Sequence, residues 1–168
     1  MPDAPPPPLA PEHRRIEGLQ DYEQAVDQVI RQARHNLRIF SYNLRGEGYN
    51  SLARIELLQN FLLMSRTNRL TIVLHDTDYL TRECPRMMNL VQQFSHAISI
   101  YQTCDEARGI SDPFIIADND HYLHRFHYDH PRAAFAINDK EGALGLARRF
   151  NEIVEAAEPA APPTTLGL

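Results

Sequence analysis

At 168 residues the chain is long enough for one domain with a sizeable buried core, and its net charge of −5 speaks against a general nucleic-acid binder, which leans on a basic surface. The opening MPDAPPPPLAPEH has no apolar leader region, and no run is apolar for long enough to span a bilayer, so no membrane partner is expected. Two cysteines without CxxC spacing, Cys84 and Cys104, fit reduced thiols in a cytoplasmic protein.

Residues 1–18 read as a proline-rich disordered arm, 19–157 as the folded domain and 158–168 as a flexible tail. A first helix is predicted over 21–35, with Asp21 and Gln24 as a capping box and Tyr22, Ala25, Val26, Val29, Ile30 and Ala33 on one stripe. A strand over 37–43 follows, its side chains alternating between faces. The glycine-bearing loop RGEGYN leads to a second helix, capped by Asn50 or Ser51, with Leu52, Ile55, Leu58, Phe61, Leu62 and Met64 inward.

LTIVLHD is apolar through its middle, as a strand covered on both faces should be. Pro85 divides the next segment and suits the first turn of a helix carrying Met88, Leu90, Val91 and Phe94. A third strand, AISIYQT, precedes the polar loop CDEARGIS. The stretch SDPFIIADNDHYLHRFHYDHPRAAFAIND then predicts three short strands, over 113–117, 121–128 and 133–137, with Asp118-Asn119-Asp120 as a hairpin turn. A closing helix over 140–157 opens on Asn138 and Glu141 as a capping box. Strand–helix alternation followed by hairpins gives an α/β fold: a mixed, mainly parallel sheet of six or seven strands flanked by helices on both faces.

Candidate chemistry concentrates in that late stretch. His121, His124, His127 and His130 recur at every third residue, a spacing that suits neither a helical metal site nor one on a strand. On a strand it puts His121 and His127 on one face and His124 and His130 on the other, so no metal or cofactor is expected. Arg125 is the side-chain type that grips phosphate or carboxylate bidentately; its bland alternative is an ion pair with Asp118 that pins the hairpin. Tyr42 and His75 fall at the carboxyl ends of two strands, the edge where ligands gather in open α/β sheets. His75 and Asp76 are neighbours on a strand and point apart, which leaves Asp76 to cap the next helix. Arg148 and Arg149 suit the end of the last helix without any ligand.

The element order, the run DPFIIADNDHYLHRF and the terminal helix ALGLARRFNEIVE resemble one half of a phospholipase D-like domain, over roughly residues 20–157. That resemblance implies a central strand bearing His-x-Lys-x4-Asp, then a hairpin with Gly-Ser-x-Asn; the histidine is the nucleophile and the lysine holds phosphate. Aligned on Asp118, this chain has Ser111 in the histidine position and Pro113 in the lysine position, with Arg125 and Phe126 where Gly-Ser should be. The sole lysine, Lys140, opens a helix and cannot restore the motif by a shift of register. Serine without a base is a weak nucleophile, and proline supplies neither charge nor donor.

The expectation is a non-catalytic phospholipase D-like binding or scaffold module, taking a small anionic ligand around Arg125, His127, His124 and Asp118, with Tyr42 and His75 as further candidates. The family's two-halved site implies a homodimer. The rival expectation is a divergent phosphodiesterase or nuclease that uses His124, His127 and Arg125.

Overall fold

The structure, a computed structural model, describes Ala4 and residues 10–160. Its centre is one eight-stranded sheet in the order β1-β7-β6-β5-β2-β3-β4-β8. The strands are β1 (Glu12–Ile16), β2 (Asn36–Ser41), β3 (Arg69–Leu74), β4 (Ile98–Thr103), β5 (Phe114–Ala117), β6 (His121–His127), β7 (His130–Ile137) and β8 (Ala157–Pro159). The helices are α1 (Leu19–Gln32), α2 (Leu52–Leu63), α3 (Asp78–Glu83), α4 (Pro85–Gln93) and α5 (Lys140–Glu155).

The α/β architecture with helices on both faces is as expected, but the sheet is mostly antiparallel. Only β2–β3 and β3–β4 pair in parallel, whereas β1–β7, β7–β6, β6–β5, β5–β2 and β4–β8 run antiparallel. The reason is local: only α2 and the α3–α4 pair join strands that are sheet neighbours, β5, β6 and β7 follow one another by hairpins, and α1 and α5 link strands that do not pair. The strand count exceeds the expectation for a related reason. Glu12–Ile16 lies within the stretch read as a loose arm, and Ala157–Pro159 crosses the boundary drawn for the tail. Both are edge strands with exposed side chains, so neither shows the apolar alternation by which a strand is recognised. The expected looseness of residues 1–3, 5–9 and 161–168 falls outside the described residues.

Two apolar layers sandwich the sheet. On one face α1, α2 and α4 bury Tyr22, Val26, Leu58, Phe61, Met87 and Leu90 against Leu37, Ile39, Leu70, Ile72, Ile115 and Leu123. On the other, α5 alone lays Ala143, Leu146, Phe150 and Ile153 over Phe40, Val73, Phe114 and Ile116. The stripe predicted for α1 is buried throughout. In α2, Leu58, Phe61 and Leu62 are buried, but Leu52 and Met64 are exposed and Arg54 goes inward.

Caps differ in detail from the expectation. Gly18 precedes α1 and gives no side-chain cap, Ser51 caps α2 by accepting from the Arg54 amide, and Asp139 rather than Asn138 caps α5 through the Gly142 amide. Asn138 instead sits at a φ of 60°, a left-handed backbone that asparagine tolerates. Gly142 is required here: a Cβ would lie 2.5 Å from the Tyr122 hydroxyl and from Asp139 Oδ2. Pro85 opens α4 as predicted, and Asp76 accepts from the Asp78 amide at the head of α3.

Arg54 is the largest side chain of the buried interior and carries a charge there. It donates from Nε to Asp27 Oδ1 at 2.6 Å, from Nη1 to the Glu47 carbonyl at 2.7 Å and from Nη2 to the Glu23 carbonyl at 3.1 Å. Truncation leaves two carbonyls and a carboxylate short of donors, as well as a void. Arg54→Ala is therefore expected to lower stability by about 3–5 kcal/mol in urea unfolding; a loss under about 1 kcal/mol would show that water replaces the guanidinium freely.

Candidate functional site

The parallel strands β2 and β3 end at one pole of the sheet. Because β5 runs against β2, and β6 against β5, the start of β5 and the end of β6 reach the same pole. Five of the six predicted site residues meet there: Tyr42, His75, His124, Arg125 and His127. Asp118 does not. It sits at the far end of β5, at a φ of 56°, and its carboxylate accepts from the amides of Arg34, His35 and Asn36 at 2.7–3.3 Å. The expected Asp118–Arg125 pair is not made, because the length of β5 separates the two. Each finds another partner.

On the α5 face, His124 pairs across the strands with Phe114, and its Nε2 meets Asp112 Oδ2 at 2.7 Å. The same carboxylate receives both terminal nitrogens of Arg149 from α5. Sequence reasoning missed this Asp112–His124–Arg149 cluster. Strand alternation read backwards from Phe114 places Asp112 on its face, and position 149 adjoins the Leu146–Phe150 stripe, so the signal was present. A charged pair near a helix end, however, reads equally well as a solvated terminus.

Nearer the rim, Tyr42 and Tyr128 stack with centroids 4.7 Å apart, and Tyr128 stacks on His127 at 4.6 Å. Tyr42 and Tyr128 are 38% and 37% exposed. His75 lies beneath them, edge-on to Tyr42 and Phe40. It is buried, and both of its ring nitrogens are engaged, Nδ1 with Thr103 Oγ1 and Nε2 with the Ile110 carbonyl, each at 2.6 Å.

A bulge between Arg125 and His127 changes the expected faces. His127 pairs directly opposite His130, with ring centroids 5.9 Å apart, so these two share a side rather than opposing one another. His121 is buried at the other end of β6, where its Nδ1 accepts from the Asn138 amide; desolvation pulls its pKa below the ordinary histidine value. Tyr122 hydrogen-bonds Asp139, and burial together with that carboxylate pushes its hydroxyl up to about 12. Among the described residues no group of three or more His, Cys, Asp or Glu side chains is arranged to hold a metal ion.

Arg125 points the opposite way, into the α1 layer. Its Nε donates to the His130 carbonyl at 2.6 Å, its guanidinium lies over the Tyr22 ring, and Nη1 comes within 3.8 Å of Glu47 Oε1. Glu47, from the loop RGEGYN, is itself buried and accepts from Ser41 Oγ at 2.7 Å. Desolvation pushes the Glu47 carboxyl above the usual range, against the pull of the Ser41 hydroxyl and of the Arg125 and Arg54 guanidiniums. The backbone between these groups is tied as well: Pro113 accepts from the Arg125 amide and Ser111 from the Tyr128 amide.

This arrangement of sheet and helices is an α/β fold shared with phospholipase D family structures. Nuc from Salmonella typhimurium, described as a phospholipase D family member, superposes with a TM-score of 0.66 at 14% identity, over 90% of this chain and 99% of that one. NucT from Helicobacter pylori gives 0.57 at 10% identity, over 90% and 100% of the two chains. TrmBL2, an archaeal chromatin protein described with a novel mode of DNA binding, gives 0.63 at 13% identity, over 87% of this chain and 53% of its own. By sequence, residues 18–162 match the family described as Domain of unknown function (DUF7931), and the chain belongs to that family. No curated protein matches it.

The buried carboxyl makes the fold answer to pH. A raised folded-state value means that Glu47 favours the fold most while protonated; this contribution is full below about 4.5 and is lost as pH rises through the elevated folded value. Compared with Glu47→Gln, the native chain should therefore lose melting temperature as pH is raised above that point. A constant gap between the two melting curves across about pH 4 to 8 would contradict this.

Proposed function

We propose that the chain is a non-catalytic phospholipase D-like module that binds a small anion at the β2–β3 pole and self-associates through that pole. The observation that carries this reading is the commitment of the cations around Ser111 and Pro113, the positions where the family motif has its histidine and lysine. Arg149 is clasped by Asp112, Arg125 faces Glu47 and the His130 carbonyl behind the sheet, and His75 has both nitrogens occupied. Phosphoryl transfer needs a lone pair and a positive charge directed at one phosphorus atom, and these groups are directed elsewhere. The partly exposed His124 and His127 are the groups left to meet an anion, and Arg149, Arg125 and Asp118 act by holding the frame. The Tyr42–Tyr128 stack supplies rigid aromatic area of the kind enriched at interfaces, which supports a homodimer joined at this pole.

One contact favours the rival reading. His124 set on a carboxylate is how an imidazole is oriented for acid–base work. Arg125 lies on the other face of the sheet, though, so His124 and Arg125 cannot grip one phosphate from the same side. The test is turnover of bis-p-nitrophenyl phosphate with and without EDTA. No rate above that of His124→Ala is expected; turnover that vanishes in His124→Ala or His127→Ala would replace this proposal with a divergent phosphodiesterase.

Sedimentation at micromolar concentration tests the second half of the proposal. A dimer is expected, weakened about tenfold or more by Tyr42→Asp. A monomer at every concentration would remove self-association from the account.

A further inference from the structure

The two ends of the sheet are finished differently. β8 covers only Tyr101–Thr103 of β4, and after Pro159 the chain has prolines at 162 and 163, which cannot donate to a ladder. At the other end β1 presents a full five-residue edge, and among the described residues no strand pairs with its outer side. Alternate N–H and C=O groups of such a strand point outward, ready for another chain.

That edge also has space on both faces. On the α5 side, the helix packs chiefly on β4, β5, β6 and β8. A cavity of about 240 Å³ lies there over Ala134, bounded by Arg15 and by Phe126, which is 49% exposed. The small alanine floors the trough because His124, Ala134 and Arg15 form one cross-strand row. On the α1 side, a polar cavity of about 180 Å³ runs along Arg14 and Ile16 beside Asp21, Gln24 and Gln28. Arg14 is posed in it, donating to Gln28 at 2.7 Å and stacked on Phe135.

From Glu12 to Glu17 the charges read acid, histidine, arginine, arginine, isoleucine, acid. We propose that the outer edge of β1 is a docking strand for an extended acidic peptide of a partner protein, added antiparallel to the sheet, with two adjacent carboxylates opposite Arg14 and Arg15. Main-chain hydrogen bonds supply the affinity, and the two cavities take alternate side chains. The arginines sit on opposite faces, so consecutive acidic residues are needed to meet both. A second copy does not fit. The antiparallel register that uses the whole edge would set Arg14 against Arg14 and Arg15 against His13 of the other copy, cation against basic side chain at the centre, and leave Glu12 facing only Ile16. This surface is separate from the β2–β3 pole and independent of the function proposed for it.

The probe is the end-blocked peptide Ser-Thr-Glu-Glu-Val-Ser, titrated into the full chain labelled with ¹⁵N. Amide shifts confined to residues 12–17 and their β7 partners are expected. Arg15→Glu, an exposed change at a side chain without an internal partner, should weaken binding about fivefold or more with unchanged circular dichroism. A peptide with Lys-Lys at its centre should then prefer the Arg14→Glu/Arg15→Glu variant. Backbone methylation of the peptide at alternate residues should abolish binding in one of the two phases. The proposal fails if the β1 amides do not shift up to millimolar peptide, if Arg15→Glu binds as tightly, if both methylated peptides bind, or if a single-stranded oligonucleotide displaces the peptide. It fails equally if Arg15→Glu changes the sedimentation of the free chain, since the edge would then serve a second copy.

Discussion

Glu47 is a carboxyl with almost no water around it, and much of the molecule is arranged to tolerate it. Ser41 from β2 donates to one oxygen, while Tyr22 from α1 and Arg125 from β6 approach the other. Arg54 from α2 grips the Glu47 carbonyl. Four elements are thus tied to one loop residue, β2 and α2 that flank the loop and α1 and β6 that do not. The desolvation of that group is costly unless every tie is made. Such a network adds directional hydrogen bonds to the seating of α1 and α2 on the sheet, which apolar packing alone does not supply. Burial raises the Tyr22 hydroxyl as well, so the tyrosine stays a neutral donor beside the carboxyl.

The same network decides what β6 offers the solvent. Strand alternation sends Leu123 and Arg125 toward α1, and Tyr122 and His124 toward α5. The cation that the sequence places beside an imidazole is therefore on the other side of the sheet from it. The bulge after Arg125 re-aims only the last residues, bringing His127 against His130 and Tyr128 rather than toward Arg125. Three-residue spacing of histidines looks dense in one dimension and disperses in a sheet.

How much of this was legible in the sequence varies by kind of signal. The α1 stripe, the Pro85 helix start, the three strands after Ser111 and the layered α/β plan followed from periodicity and punctuation, because those patterns are imposed by burial. The edge strands were not, since Glu12–Ile16 and Ala157–Pro159 have mostly exposed side chains and are held by backbone pairing that leaves no mark in residue type. At the site, Tyr42 and His75 were placed by a rule about strand ends. Asp112 and Arg149 escaped because their partners lie 12 and 37 residues away, and long-range polar pairing has no period; Glu47 escaped because a carboxylate in a glycine-bearing loop reads as exposed.

A likeness of 9–14% identity that still spans most of the chain has a physical reading. What the fold asks of β5 is four consecutive buried residues, Phe114 to Ala117, covered by α1 on one side and α5 on the other. What the family's chemistry asks falls just outside that run, at Ser111 and Pro113 before it and at Arg125 and Phe126 across the hairpin. Ser111 and Pro113 contribute their carbonyls to the sheet whatever side chain they carry, whereas the Arg125 side chain is tied to Glu47 and the His130 carbonyl. At Ser111 and Pro113 the sheet therefore depends on the backbone and leaves the side chain open. A function then has to be argued from the groups that stand at those positions and from where their neighbours point.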